Sequence, residues 1–113
     1  MDTFEITAWD DAGVHVVRVI GEFDMAACER FREQSRFDGS ELVVVDLRGT
    51  TFLDSSAVSE LIGLQQKASS RSAHYAILRP EGAADRIFKL TGLDAVLPLY
   101  DERVPVLANF NFG

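Results

Sequence analysis

The chain has 113 residues, is 47% apolar and carries a formal net charge of −7. That length is enough for one domain whose hydrophobic core needs neither disulfides nor a structural metal. The 11 basic residues are scattered, which argues against a nucleic-acid surface because phosphate neutralisation needs clustered Lys and Arg. No apolar run approaches the roughly 20 residues of a membrane span. The first five residues are acidic where a secretory signal would be basic, so we expect a cytoplasmic protein.

The first third of the chain predicts a β-hairpin followed by a helix. The predicted elements are a strand over 4–9, a tight turn over 10–13, an antiparallel strand over 14–20 and a helix from 25 to about 35. His15 is expected as a surface or edge side chain rather than a ligand. Asp24 is placed to cap the helix, with Met25, Cys28 and Phe31 facing inward. The lone Cys28 is therefore expected to be packed in the core.

The rest of the chain alternates between strands and helices. The predicted elements are a strand over 42–47, a helix over 55–69, a strand over 73–78, a helix that Pro80 opens and Gly92 ends, and a strand over 96–100 with Pro98 at an edge. The valine-rich run at 42–47 suits a strand buried on both faces. Strand–helix–strand units need parallel crossovers. We therefore expect one α/β domain over 1–113, with a mixed sheet of about five strands and helices mainly on one face.

Two further segments carry expectations of their own. Val58, Leu61, Ile62, Leu64 and Ala68 recur at the helical period and predict the inward face of the helix over 55–69. In the tail, Pro105 allows a brief helix over 106–110. Phe110 and Phe112 either pack against the sheet or form an exposed contact.

Enzyme chemistry has little support in the sequence. The two histidines, His15 and His74, fall on different predicted strands, and there is no HExxH, paired CxxC or glycine-rich phosphate loop. A triad of Ser55 or Ser56 with His74 and an aspartate is not excluded by sequence, because the fold brings such residues together. The chain has no nucleophile elbow, however. We expect a protein that is not an enzyme.

The sequence Asp54-Ser55-Ser56 marks the point where the strand over 42–47 and its short turn give way to a helix. One interpretation makes Asp54 or Ser55 the helix N-cap, whose side-chain oxygen accepts a backbone N–H, a bond worth about 1 kcal/mol. The other is that the helix N-terminus suits a phosphate, because free amides and the helix dipole favour negative charge. The two are compatible, since a hydroxyl at a helix start can also be phosphorylated.

Three segments, taken together, cover nearly the full chain in a specific order. They are VIGEFD over 19–24, VVDL over 44–47 with FLDSS over 52–56, and FKLTGLDAVLPLY over 88–100. In this combination the sequence resembles the anti-sigma factor antagonist (anti-anti-sigma) family, the bacterial branch of the STAS domain. The resemblance implies a protein switch without catalytic activity.

The resemblance also implies partners and site residues. In such families the unmodified antagonist binds an anti-sigma factor, itself an ATP-dependent serine kinase, and the sigma factor is released. The kinase phosphorylates the serine that follows the aspartate, here Ser55, and a phosphatase reverses the reaction. By the same match Asp24 lies near Ser55, and Asp24, Asp54, Ser55 and Ser56 contribute to the partner surface, with Ser56 as a neighbour of the acceptor. ATP and magnesium belong to the partner, so no cofactor or metal is expected here.

The chain departs from the family pattern beside the serines. The family usually has Gly-Leu there, whereas this chain has Ala57-Val58, which raises helix propensity and removes the freedom of a glycine. The alternative function is a STAS scaffold or complex subunit, in which the serine serves only as a cap and no phospho-switch operates.

Overall fold

The computed structural model describes residues 3–101, and within this range the chain forms six strands and three α-helices. They are β1 (Phe4–Asp11), β2 (Val14–Phe23), α1 (Met25–Gln34), β3 (Leu42–Asp46), β4 (Thr50–Leu53), α2 (Ser55–Ser70), β5 (His74–Leu78), α3 (Gly82–Thr91) and β6 (Leu99–Tyr100), with a 3₁₀ turn at Leu93–Ala95. The predictions made for Pro105, 106–110, Phe110 and Phe112 lie outside the described residues.

The strands form one mixed sheet in the order β1-β2-β3-β5-β6, with β4 paired to β2. β1 and β2 are antiparallel, and every other pair is parallel. On the side away from β1, β2 is long enough to pair with two strands: residues 14–18 pair with β3, and residues 21–23 pair with β4. The mixed sheet is confirmed, whereas β4 lies where the sequence predicts a turn. Its composition, two threonines, a phenylalanine and a leucine, is typical of a strand, although four residues are too few to show a period.

Gly21 lies where β2 changes from one partner to the other. Its φ is +92°, and the register with β4 shifts between Gly21 and Glu22. A Cβ at this position would lie 2.3 Å from the carbonyl oxygen of Thr3. Glycine is therefore required both for the backbone angle and for the close approach of β1.

The three helices pack against one face of the sheet and form one hydrophobic core with it. That core includes Val17, Val43 and Ile77 from the strands, all fully buried. The helices add Phe31, Leu61 and Phe88, among other side chains. A smaller apolar cluster of Val14, Leu42, Val44 and Ala76 lies on the opposite face. The valine-rich β3 is thus buried on both faces, as its composition predicts.

Most of the predicted helix ends and inward residues are confirmed, with one exception on α1. Cys28 and Phe31 are buried, whereas Met25 is 74% exposed. The prediction for Met25 was wrong because this residue begins α1 directly after the end of β2, where the first turn lies at the edge of the sheet. At the other end of the fold, Gly92 ends α3 with a φ of +74°, as expected.

His15 is not a surface or edge residue, so that prediction was also wrong. β2 lies between β1 and β3, and His15 is only 5% exposed. Its Nδ1 lies 2.8 Å from Asp10 Oδ1, and its Nε2 lies 2.8 Å from the carbonyl oxygen of Gln34. The histidine ties the end of α1 to the β1–β2 hairpin.

Asp46 ends β3 as a buried carboxylate held between two guanidinium groups. Arg48 Nε and Nη2 donate to its two oxygens at 2.9 Å each, and Arg18 Nε donates at 3.1 Å. Burial alone would raise the pKa of Asp46, but the hydrogen bonds and charge of Arg48, with the bond from Arg18, bring it below the ordinary 3.8. The carboxylate therefore stays ionised and fixes the turn that leads into β4.

Candidate functional site

Two strand-to-helix junctions lie side by side at one edge of the sheet. β2 and β4 are parallel neighbours, and their last residues, Phe23 and Leu53, are paired in register. Each strand is followed by a single aspartate and then a helix: Asp24 before α1, and Asp54 before α2. The N-termini of two helices therefore converge, each bringing unpaired amides and a partial positive charge.

Asp54 serves both helices at once. Its Oδ1 accepts a hydrogen bond from the backbone N–H of Ala57 at 3.0 Å, which caps α2. Its Oδ2 accepts one from the N–H of Met25 at 3.1 Å, the first residue of α1. Of the two capping residues that the sequence left open, Asp54 is the N-cap and Ser55 is the first helical residue. The bond to the neighbouring helix was not foreseen, because a spacing of 29 residues carries no local signal.

Asp24 caps its own helix, as predicted. Its Oδ1 accepts a hydrogen bond from the N–H of Ala26 at 3.1 Å. The main chains of the two junctions also meet, since the N–H of Asp54 donates to the carbonyl oxygen of Phe23 at 3.3 Å. The junctions of Asp24 and Asp54 therefore form one structural unit.

Ser55 is exposed at the start of α2, whereas Ser56 is half-buried. The carbonyl oxygen of Ser55 accepts a bond from Ser59 Oγ at 3.1 Å, and its own hydroxyl makes no hydrogen bond within residues 3–101. Ala57, which departs from the family pattern, is fully buried. Its methyl group takes up no space on the exposed side of Ser55. The hydroxyl is thus free and faces solvent beside the converging helix ends.

Cys28 lies buried in the first turns of α1, under the acidic groups of the junctions. Burial raises the pKa of its thiol, and the negative charges of Glu60, Asp54 and Asp24 raise it further against the opposing charge of Arg32. The thiol is therefore neutral at physiological pH, which makes it a poor nucleophile. It belongs to the core, as its position in the sequence predicts.

Two exposed apolar side chains accompany the junctions. Phe52, two residues before Asp54, is 49% exposed, and Met25, bonded to Asp54 through its N–H, is 74% exposed. Sequence reasoning missed both, because Phe52 was placed in a turn and Met25 in the core. Exposed aromatic and methionine side chains are enriched at protein–protein interfaces. Asp54 and Ser55 thus have apolar neighbours of the kind that a protein partner covers.

The residues of the conceivable triad are far apart. Ser55 and Ser56 begin α2, while His74 follows its end, and the 16 residues of the helix span about 24 Å. Among residues 3–101, no three His, Cys, Asp or Glu side chains are grouped to hold a metal ion. None of the helices in that range has both the length and the apolar character needed to cross a membrane.

Comparison with known proteins connects this geometry to a family. An anti-sigma F factor antagonist of Paenibacillus polymyxa is 26% identical over 99 residues, 84% of this chain and 85% of that protein. The crystal structure of an anti-sigma factor antagonist from Mycobacterium paratuberculosis superposes with a TM-score of 0.73 at 28% identity, covering 94% of this chain and 92% of the other.

A third relative shares the fold. The phosphorylated form of the Bacillus cell fate determinant SpoIIAA superposes with a TM-score of 0.67 at 20% identity, over 96% of this chain and 98% of the other. The family model of the STAS domain matches residues 5–104. The chain belongs to the STAS domain family, among relatives that are anti-sigma factor antagonists.

Proposed function

We propose that this protein is a cytoplasmic bacterial partner switch. The unmodified form binds an anti-sigma factor that is a serine kinase, and phosphorylation at Ser55 ends the binding. The observation that carries the proposal is the free, exposed hydroxyl of Ser55 beside two helix N-termini that Asp24 and Asp54 already cap. The chain acts by binding and contributes no catalytic step. A phosphatase restores the unmodified form.

Charge explains how one phosphate can act without refolding the domain. A phosphoserine adds about 1.5 to 2 negative charges at neutral pH, which takes the net charge from −7 to about −8.5 or −9. The first-turn amides of Ala26 and Ala57 are already bonded to aspartates. These two amides are therefore not available to the phosphate, which stays at the surface and adds to the negative charge of the two aspartates. A partner that covers it must remove its water, which costs several kcal/mol unless a new cation pairs with it.

The apolar neighbours supply the complementary part of the surface. Met25 is exposed, and its N–H bonds to Asp54, the residue before Ser55. Phe52 is exposed three residues before Ser55 in the chain. Burial of an apolar side chain at the centre of an interface favours binding by roughly 1.5 to 3 kcal/mol. A partner that covers Met25 lies close to the start of α2, because the N–H of Met25 bonds to Asp54. Its binding is therefore sensitive to a charge placed there.

The test compares serine variants in calorimetric titrations against candidate kinase anti-sigma factors. Ser55→Ala is expected to bind like the unmodified protein, and Ser55→Asp at least tenfold more weakly. Ser56→Ala and Ser56→Asp are the matched controls, since Ser56 is adjacent but half-buried. Incubation with the kinase, ATP and magnesium, followed by mass spectrometry, locates the phosphate. Equal affinities of Ser55→Ala and Ser55→Asp for the anti-sigma factor would refute the proposed phosphorylation switch.

Mass spectrometry also decides between this proposal and its alternative. Phosphate on Ser56 or elsewhere would show that the assigned acceptor is wrong. Absence of phosphate with every candidate kinase would favour a STAS scaffold or complex subunit in which Asp54 only caps α2. The variants at Ser55 and Ser56 would then bind the remaining members of that complex equally.

A further inference from the structure

The outer edge of β1 is a long strand edge at one end of the sheet. Among residues 3–101, β2 is the only strand that pairs with β1. β1 runs for eight residues in regular register, contains no proline or lysine, and is uncharged over 6–9 at its centre. Sheets commonly protect such an edge with proline, lysine, a bulge or a covering element, because free backbone groups can pair with another strand. This edge is therefore able to accept a further strand.

The hydrogen bonds to β2 show which backbone groups of β1 point outward. The N–H of Glu22 donates to the carbonyl oxygen of Thr3 at 2.9 Å, so these two residues form a hydrogen-bonded pair. Hydrogen-bonded and non-hydrogen-bonded pairs alternate along an antiparallel ladder. Gly21, opposite Phe4, accordingly donates away from β1, to the carbonyl oxygen of Gly49. The odd-numbered residues of β1 thus bond to β2, and the even-numbered ones direct their N–H and C=O groups to the open edge. The even-numbered residues are Phe4, Ile6, Ala8 and Asp10.

We propose that β1 pairs with β1 of a second copy of this chain, in antiparallel orientation about a two-fold axis at Thr7. The outward groups belong to even-numbered residues in both copies, so each even-numbered residue must face another one. With the axis at Thr7, Phe4 faces Asp10 of the second copy and Ile6 faces Ala8. Four hydrogen-bonded pairs then form, each with two backbone bonds. The two sheets become one continuous sheet, and this pairing does not depend on the function proposed above.

The acidic side chains favour this register over its neighbours. Glu5 faces Trp9 of the second copy, and none of the opposed pairs joins two carboxylates. Moving the axis to Ala8 would place Glu5 opposite Asp11 and leave three hydrogen-bonded pairs, and moving it to Ile6 would also leave three. Like charges directly opposite each other destabilise a sheet, whereas a Thr–Thr pair such as the one at the axis stabilises it. The strand is therefore complementary to itself in one register.

Trp9 lies at the proposed interface on the face of the sheet opposite the helices. Ile6 belongs to the core beneath the helices, so Trp9, three residues further along the strand, points to the other face. The Trp9 side chain is 39% exposed, and the guanidinium of Arg18 lies 4.9 Å from its ring centroid. Tryptophan is enriched at protein–protein interfaces. It is also the only tryptophan of the chain, so its fluorescence reports directly on this surface.

The first test measures association by sedimentation velocity and tryptophan fluorescence over a hundredfold range of concentration. A reversible dimer is expected, and added salt should strengthen it, because each copy carries a net charge of −7. Thr7→Glu should weaken association at least tenfold, since it places two carboxylates opposite each other at the axis. Within its own chain Thr7 lies opposite Arg18, so the variant keeps its fold, which circular dichroism checks. Thr51→Glu adds the same charge at an exposed position of β4 and is the control, with less than a twofold effect expected.

The second test examines the register through disulfide formation in oxidised glutathione. Thr7→Cys places two thiols opposite each other at the axis, within reach of a disulfide. Glu5→Cys is the matched control on the same face of β1, because its two thiols lie four residues apart along the strands, or about 13 Å. Cys28 is buried and does not compete. Covalent dimer should form at least tenfold faster with Thr7→Cys.

Three outcomes would overturn the pairing of two copies. One is a monomer at every concentration, and another is equal rates of disulfide formation by the two cysteine variants. The third is a monomer whose binding to an anti-sigma factor is weakened by Thr7→Glu but not by Thr51→Glu. That result would assign the edge of β1 to a strand of the partner protein.

Discussion

Removal of the Asp54 carboxylate is predicted to destabilise both helices that meet at this residue. Asp54→Ala deletes the cap bond to Ala57 N–H, worth about 1 kcal/mol. It also deletes the bond to Met25 N–H, worth about 1 kcal/mol more. Asp24→Ala is the matched control, because Asp24 caps only its own helix through Ala26. We therefore expect the two variants to lose about 2 and about 1 kcal/mol, respectively.

Urea unfolding followed by circular dichroism measures this difference in free energy of unfolding, and thermal unfolding measures it independently as a difference in Tm. For a domain of this size 1 kcal/mol corresponds to about 5 °C in Tm, so the two variants should differ by about that amount. A double-mutant cycle with Met25→Pro isolates the bond between helices. Proline suits this position, since it is the first of α1 and its N–H has no partner inside the helix.

The double-mutant cycle tests whether the Asp54 side chain bonds to both helices. Met25→Pro removes the donor to Asp54, so its cost should disappear in the Asp54→Ala background, with a coupling of about 1 kcal/mol. Additive effects of the two substitutions would refute the reasoning. So would an Asp54→Ala variant that is no less stable than Asp24→Ala.

Two further predictions concern Asp46 and Gly21, the residue at which β2 changes from pairing with β3 to pairing with β4. The lowered pKa of Asp46 adds stability that is fully present above its ordinary value of 3.8 and is lost as the pH falls through the lower folded value. Asp46→Asn should therefore be less stable than wild type at pH 7, with a gap that narrows at pH 3 in urea titrations; a constant gap would contradict the assignment. Gly21→Ala should cost clearly more than Gly82→Ala, because both have positive φ but only Gly21 has a backbone oxygen 2.3 Å from the added Cβ. Equal Tm losses would show that this contact relaxes freely.

The sequence predicts well what depends on local pattern. The Asp24 cap of α1, the buried β3 and the end of α3 at Gly92 follow from side-chain type and spacing within a few residues, whereas the cap of α2 is narrowed only to Asp54 or Ser55. Each is decided by the local preference of one residue or by one uninterrupted run of residues. The alternation of strands and helices predicts the parallel strands, because a helix that connects two strands of one sheet allows few topologies.

The failures at His15 and Met25 have a different cause, since each depends on how elements pack rather than on the local sequence. His15 is buried because α1 ends over β2 and offers the Gln34 carbonyl oxygen, a relation between two elements. Met25 is exposed because its helix starts at the edge of the sheet, although its helical spacing relative to Cys28 is that of a core residue.

The shared carboxylate of Asp54 also sets the free energy of local opening at this end of the domain. Local unwinding of the first turn of α2 breaks the bond to Ala57 and frees the side chain that holds Met25. The amide hydrogens of Met25 and Ala57 should then exchange with solvent in one cooperative event, although they belong to different helices. The starts of α1 and α2 are thereby coupled, and a substitution that strengthens the start of α1 should also protect the first turn of α2 against local opening.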